Sequence, residues 1–221
     1  MRHLIVGNGP AGVKAAETLR RIAPGDDVAL VAEEAQPFYS KVLTSYFVAG
    51  KKPYENMLLA DSERFRQLEI QLLAGKRAVA VDAAAREVTL AGGEKVAYDR
   101  LLLATGAAPY LPPIQGVETP GVFTLWTHDD AVRLNEWIRE GQQALVVGAG
   151  LVGLKAAEAF LARGLSVTVV ELLDRVLPQV LDKEDADRVQ KELAKRGVAV
   201  RTSAAVGEIV GDGQVRKAIL A

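Results

Sequence analysis

Two six-residue glycine patterns carry most of the chemistry this chain could perform: Gly7-Asn8-Gly9-Pro10-Ala11-Gly12 and Gly148-Ala149-Gly150-Leu151-Val152-Gly153. Each follows a short apolar run, His3 to Val6 and Ala144 to Val147, and each opens a stretch with apolar residues at helical spacing. Each is followed by a second apolar run that ends in an acid, Val28 to Ala32 before Glu33 and Val167 to Val170 before Glu171. At this spacing the first glycine permits a tight turn and the second lets the backbone approach a pyrophosphate. The third lets helix and strand pack closely. The phosphates would then face a helix N-terminus, where free N–H groups and the helix dipole favour negative charge. The acid would accept hydrogen bonds from ribose hydroxyls. Taken alone, either pattern also fits a glycine-rich turn in an ordinary βαβ unit. The complete strand–turn–helix–strand–acid unit is more specific, and finding it twice points to two dinucleotide pockets.

The elements that must hold these loops can be read from the pattern of apolar residues and breakers. A strand at 3–7, a helix at 10–22 closed by Pro24-Gly25, and a strand at 27–32 make the first unit. The segment 35–56 carries Pro37, Phe38, Tyr39, Lys41, Tyr46 and Phe47, and reads as a loop with short helices over a ligand. A helix at 61–68 and a strand at 70–73 follow. Three short strands at 77–82, 86–91 and 94–98, separated by turn residues, suggest a small antiparallel insertion. Leu101 to Ala104 reads as a buried strand that runs into Thr105-Gly106. Residues 107–121, rich in proline and glycine, read as a domain crossing. Beyond it lie a helix at 127–140, the second βαβ unit at 143–171, a helix at 182–196 and a strand at 197–201. A hairpin, 205–210 and 215–220, closes the chain. The fold class is therefore α/β: two Rossmann-like units with a small antiparallel β insertion, divided into 1–110 and 111–221.

Composition narrows the function further. A formal charge of −1 supplies no strong field for nucleic acid or an anionic membrane. The absence of cysteine excludes a disulfide, a thiolate-bound metal and thiol redox chemistry within these residues. No metal site is expected. No run is long and apolar enough to span a membrane, and the start is unlike a signal peptide, so a cytoplasmic location is expected. His3 and His128 are the only histidines, and both read as solvated or capping side chains.

Four stretches together resemble the FAD-dependent pyridine nucleotide-disulfide oxidoreductases, in the branch of rubredoxin and ferredoxin reductases, NADH oxidases and the flavin part of nitrite reductases. They are LIVGNGPAGVKAAETL, PFYSKVLTSYFVAG, LLLATGAAP, and VVGAGLVGLKAAEAF followed by VVELLDRVLP. The resemblance implies FAD on the first loop, with its pyrophosphate at Gly7, Gly9, Pro10, Ala11 and Gly12 and its adenosine ribose on Glu33. It implies that Ala104, Thr105 and Gly106 close against the FAD, and that the backbone at Val79 lies beside the adenine. As a bare apolar strand residue, Val79 would otherwise be assigned to the core. The second loop, Gly148, Gly150, Leu151, Val152 and Gly153, would hold NAD(P)H. Glu171 would favour NADH by repelling the 2′-phosphate of NADPH, an effect that Arg175 could partly offset.

The departures from the family pattern are informative. Redox-active members carry cysteines beside the flavin, and this chain has none. Lys41 stands where an arginine commonly contacts FAD; it keeps the charge but loses the bidentate fork. Some relatives place a lysine at the position of Tyr46 and a glutamate at that of Lys155, whereas here the basic residue sits on the other element. Either Lys155 brings positive charge near the flavin or nicotinamide, or it is an exposed helical lysine with Tyr46 simply packing. Family members also continue beyond this length, returning to the FAD domain and ending in an interface domain. The resemblance thus implies a truncated or proteolysed form or an incomplete gene product, holding FAD weakly or not at all.

The implied parent activity passes electrons from NADH through FAD to a small redox protein or another acceptor. Two alternatives stay open. One is a nucleotide-binding module without turnover, and the other is a flavin subunit acting only within a larger assembly. A weaker one places a nicotinamide nucleotide in both pockets, against the character of the PFYSKVLTSYF loop. Neither the acceptor nor the oligomeric state is legible.

Overall fold

Strand β1 (Arg2–Val6), helix α1 (Pro10–Ile22) and strand β2 (Asp27–Val31) open the chain, in a computed structural model that describes all residues 1–221. Pro10 at the first helical position has its φ preset for a helix, and Arg20 and Arg21 complement the dipole in the last turn. Gly12, Val13 and Ala16 form the buried stripe of α1. Next come strand β3 (Phe38–Tyr39), helix α2 (Thr44–Val48), strand β4 (Leu58–Ala60), helix α3 (Ser62–Gln67) and strand β5 (Ile70–Leu73). Strands β6 (Ala78–Asp82), β7 (Glu87–Leu90) and β8 (Lys95–Ala97) form an antiparallel sheet, as expected of the insertion. Strand β9 (Arg100–Leu103) completes a parallel sheet of order β5-β2-β1-β9.

Alternation along β1 divides the core of this first unit into two layers. Ile5 joins Val13, Ala16, Val28, Leu30, Phe65 and Ile70 on the face covered by α1 and α3. Leu4 and Val6 join Ala29 and Val31 on the other face, against Val88, Leu90 and Val96 of the antiparallel insertion.

The strand expected to be buried at 101–104 is instead an edge strand. Leu102 and Leu103 are exposed, Leu103 at 59%. An all-apolar run looks the same in a central strand and at an edge, because hydrophobic pattern reports composition and not neighbours. Leu101 and Leu102, with Ala11, Ala15 and Leu19 of α1, line an open groove of about 570 Å³.

The second unit contains helix α4 (His128–Trp137), strand β10 (Gln143–Val147), helix α5 (Leu151–Ala162), strand β11 (Ser166–Val170), helix α6 (Lys183–Lys195) and strand β12 (Ala199–Arg201). Its parallel sheet has the order β10-β11-β12. The closing hairpin pairs strand β13 (Val206–Gly211) with strand β14 (Val215–Leu220).

The compact units of the structure do not follow the single boundary expected at 110/111. The first unit comprises Met1–Lys41 and Tyr54–Ala108, and the second comprises Val42–Pro53 and Pro109–Ala221. Val48 of α2 is fully buried in the core of the second unit, with Phe47 and Ala49 packed against that core. Arg163 donates to the Val48 carbonyl at 3.0 Å and to Asn135 Oδ1 at 2.9 Å. Apolar burial and a tied guanidinium thus attach the back of the PFYSKVLTSYF segment to the second unit, while its front, Phe38 to Lys41, stays with the first.

Helix α4 begins in a capping box. Asp130 accepts from the backbone N–H of Trp126 at 3.0 Å and of Thr127 at 3.1 Å, pairs with Arg133 at 2.5 Å, and its own N–H donates to Thr127 Oγ1. Burial alone would raise the Asp130 pKa. Hydrogen bonds from the Thr127 N–H, the Arg133 guanidinium, the Trp126 N–H and Thr124 outweigh it and hold the carboxyl below its ordinary value. Asp130→Ala should cost about 1–3 kcal/mol, read as a lowered Tm. A depressed folded-state pKa means that this stability is complete above the unfolded-state value, about 4, and is lost as pH falls through the lower folded-state value. The Tm gap between wild type and Asp130→Asn should accordingly close in acid.

Candidate dinucleotide-binding sites

Both glycine loops leave a parallel strand and enter a helix. Gly7 adopts φ +114° and Gly148 φ +98°, conformations open mainly to glycine. Their N–H groups donate to the last residue of the neighbouring strand, Gly7 to the Val31 carbonyl at 2.8 Å and Gly148 to the Val170 carbonyl at 2.7 Å. The third glycines are packing residues. A Cβ at Gly12 would lie 1.8 Å from the Gly7 carbonyl oxygen, and one at Gly153 would lie 2.1 Å from that of Gly148. The second glycines are different: a Cβ at Gly9 or Gly150 would meet nothing within 4 Å.

Those second glycines are the N-caps of α1 and α5, and no side chain caps either helix. The first-turn N–H groups, Ala11 and Gly12 in one helix and Leu151, Val152 and Gly153 in the other, therefore lack an intrahelical acceptor. Each loop combines uncapped donors, a positive dipole end and open space above the second glycine. That combination fits a pyrophosphate.

The loops differ in what stands beside them. In the first unit a Cβ at Gly7 would lie 2.1 Å from the Ala104 carbonyl oxygen, and the Ala104 N–H donates to Val6 at 2.8 Å. The Ala104-Thr105-Gly106 turn is thus brought against the first glycine loop. Gly148 has no such neighbour within 4 Å.

The two acids, paired from the sequence, do not occupy equivalent positions. Strand register aligns Val31 with Val170, each opposite the last residue of the first strand and each accepting from the first glycine. Ala32 therefore matches Glu171, and Glu33 lies one residue further on. Glu33 is exposed, with Arg77 Nε 3.7 Å away. Glu171 is buried and turned into its own loop, accepting from the Ala149 N–H at 2.7 Å and the Leu173 N–H at 2.9 Å. In the first unit Asn8 spans the corresponding distance by its side chain, donating to the Gln36 carbonyl at 3.0 Å.

Val79 is not a core residue. It is exposed at a bulge between Ala78 and Ala80, a place where strands re-aim their side chains. Lys41 Nζ lies 2.6 Å from Glu34 Oε1, and the other Glu34 oxygen accepts from the Tyr39 hydroxyl. Sequence reasoning singled out Lys41 but missed Glu34, which engages its charge.

Within the second unit, Lys155 Nζ sits 5.8 Å from the Tyr46 ring centroid and 2.9 Å from Glu158. The Glu158 carboxylate holds the Lys155 ammonium above its ordinary pKa. Lys155 in turn holds Glu158 below the usual carboxylate range, aided by Lys51 and Arg196. Glu158 was also missed, although its i,i+3 spacing from Lys155 was a readable signal.

A family model for pyridine nucleotide-disulphide oxidoreductases matches residues 1–221. The chain belongs to the pyridine nucleotide-disulphide oxidoreductase family. It is similar to the NADH oxidase of Methanocaldococcus jannaschii, 34% identical over 97% of this chain and 50% of that protein. It is also similar to the ferredoxin–NAD(+) reductase component of the biphenyl dioxygenase system of Paraburkholderia xenovorans, 33% identical over 98% of this chain and 53% of that one. Among solved structures, a NAD-dependent persulfide reductase from A. fulgidus superposes with a TM-score of 0.94 at 35% identity, covering all of this chain and 43% of that one. The chain spans about half the length of these two curated relatives. Its α/β architecture is that of the family. With no cysteine among its residues, the disulphide chemistry in the family's name has no thiol here. No helix is long and apolar enough to cross a membrane, and no cluster of side chains could hold a metal ion.

Proposed function

We propose that the chain forms the nucleotide-binding part of a flavin-dependent NADH oxidoreductase, with FAD on the first glycine loop and NADH on the second. The observation that carries this reading is the pair of uncapped helix starts, each beneath a second glycine with open space above it. Glu33, exposed just beyond β2, accepts the FAD ribose hydroxyls. The bulged backbone at Val79 lies beside the adenine, and Ala104 to Gly106 closes the first loop. Lys41 contributes less charge to FAD than an arginine there, because Glu34 already engages it.

When bound, the two cofactors supply hydride transfer from nicotinamide C4 to flavin N5. The protein's part is to bind, orient and exclude water, so no acid or base in the chain is required. Glu171 keeps lone pairs beyond those given to Ala149 and Leu173, and its charge disfavours a 2′-phosphate. Arg175 offers that phosphate little, since its guanidinium donates to Leu181 at 3.2 Å, Pro178 at 3.2 Å and Asp174 at 2.8 Å. NADH is therefore preferred to NADPH. The named reductase and oxidase relatives suggest a small redox protein or another electron acceptor as the outlet.

The visible spectrum of the purified protein, taken before and after FAD and then NADH, tests this directly. With FAD added in excess, flavin bands that bleach with NADH are expected. A colourless protein that takes up no FAD but binds NADH would overturn the flavin reading and leave a nucleotide-binding module.

Lys155, set over the Tyr46 ring, is proposed to bring positive charge near the flavin or the nicotinamide, a charge that Glu158 offsets in part. Lys155→Ala should slow flavin reduction by NADH several-fold in stopped-flow. Because the Lys155–Glu158 pair is exposed and worth only about 0.2–0.5 kcal/mol, Tm should hardly change. An unchanged reduction rate would return Lys155 to a purely helical ion pair.

A further inference from the structure

We infer that Leu177 and Glu171 clamp Ala149 from both sides and so hold the second glycine turn in its ligand-accepting shape. Leu177 is then a positioning residue for the nicotinamide nucleotide, a role that rests on the NADH reading above. Ala149, between the first two glycines, is fully buried. Its N–H donates to Glu171 Oε2 at 2.7 Å, and its carbonyl accepts from the Leu177 N–H at 2.9 Å. Both backbone polar groups of one loop residue are thus taken by the segment that follows β11.

Leu177 makes its bond from a strained conformation. Its φ is +48°, in the left-handed region that a side chain of this size seldom adopts. Such a conformation persists only where surrounding contacts over-determine it. Here they do: the Leu177 carbonyl accepts from Val180 and Leu181, each at 2.9 Å, and Arg175 bridges the carbonyls of Pro178 and Leu181. The preceding Val176 is fully buried. The charge and packing of this segment are spent on aiming one N–H at Ala149.

The first loop provides an internal comparison. Ala32 stands in the register position of Glu171, so no carboxylate is available there, and Asn8 stands in the position of Ala149. That loop is tied by the Asn8 side chain instead. The clamp is therefore particular to the second loop. By fixing Ala149 it keeps the N–H groups of Leu151 and Val152 directed at the space above Gly150.

Hydrogen exchange of the Gly148–Val152 stretch, measured without ligand and alongside NADH titration, tests the clamp. Leu177→Pro deletes the N–H and forces φ to about −65°. Leu177→Gly keeps the N–H and removes the strain. The proline variant should exchange in the turn about tenfold faster or more, with NADH affinity weakened by a similar factor, while the β13–β14 hairpin exchanges as before. The glycine variant should match wild type in both readouts. If the proline variant fails to fold, Leu177→Val retains the N–H but places a β-branched residue at positive φ, and should show the same changes at reduced size. Unchanged exchange and affinity in the proline or valine variant would overturn the clamp. Faster exchange in a protein whose wild type binds no NADH would remove the NADH reading and leave the clamp standing. Wild-type NADH binding with exchange insensitive to every Leu177 variant would do the reverse.

Discussion

Gly9→Ala should weaken FAD binding by about ten- to a hundredfold while leaving Tm nearly unchanged, whereas Gly12→Ala should lose both binding and stability. The two positions are three residues apart and chemically identical, so only their surroundings separate them. Gly9 has φ −73° and ψ −177°, which alanine adopts without strain, and its new methyl meets no protein atom within 4 Å. That methyl occupies the space through which a pyrophosphate reaches the first-turn N–H groups. Losing one charge-assisted hydrogen bond, worth about 1.5–3 kcal/mol, gives the expected fall in affinity. At Gly12 the same methyl would lie 1.8 Å from the Gly7 carbonyl oxygen, a backbone atom that cannot rotate away. Helix α1 must then move off β1, at a cost of about 1–3 kcal/mol or more. FAD fluorescence titration and thermal melts read the two effects separately. Gly150→Ala and Gly153→Ala should repeat the contrast for NADH. Equal loss of Tm at Gly9 and Gly12 would refute the assignment of Gly9 to ligand approach.

The second large effect is expected at Glu171. Glu171→Ala leaves the buried N–H of Ala149 and the part-buried N–H of Leu173 without their acceptor. An unsatisfied buried donor costs about 1–3 kcal/mol and a part-buried one less, so the second unit should lose about 1–4 kcal/mol and bind NADH poorly. Glu171→Gln keeps one carbonyl acceptor and removes the charge. It should destabilise less, and the ratio of NADH to NADPH affinity should fall by about tenfold as repulsion of the 2′-phosphate disappears. Chemical denaturation gives the first quantity and competitive binding the second. A Glu171→Gln variant with undiminished preference for NADH would place discrimination elsewhere in the pocket.

Particular residues mark how far the sequence could be read. The glycine spacing, Pro10 at a helix start and the alternation of β1 are local properties, and the helix at 10–22 and the strand at 70–73 appear with the bounds expected of them. The strand at 215–220 does too, and most other strand ends shift by a residue or two, as hydrogen-bonded termini do. The edge position of β9 was not legible, because an apolar tetrapeptide does not encode its neighbours. Glu33 and Glu171 each follow an apolar run, and the pairing of Val31 and Val170 adds that Ala32 is the register match of Glu171.

By itself, the sequence determined that this chain builds two nucleotide-type βαβ units joined by a proline-rich crossing, since glycine, proline and apolar periodicity act through the local backbone. Only the tertiary structure decided that Val42–Pro53 belongs with the second unit, that Glu34 engages Lys41, and that Glu171 and Leu177 close on Ala149. These outcomes depend on which buried surfaces and unpaired polar groups meet in space. Residues far apart in the chain reach that arrangement only when burial and hydrogen bonding are satisfied together.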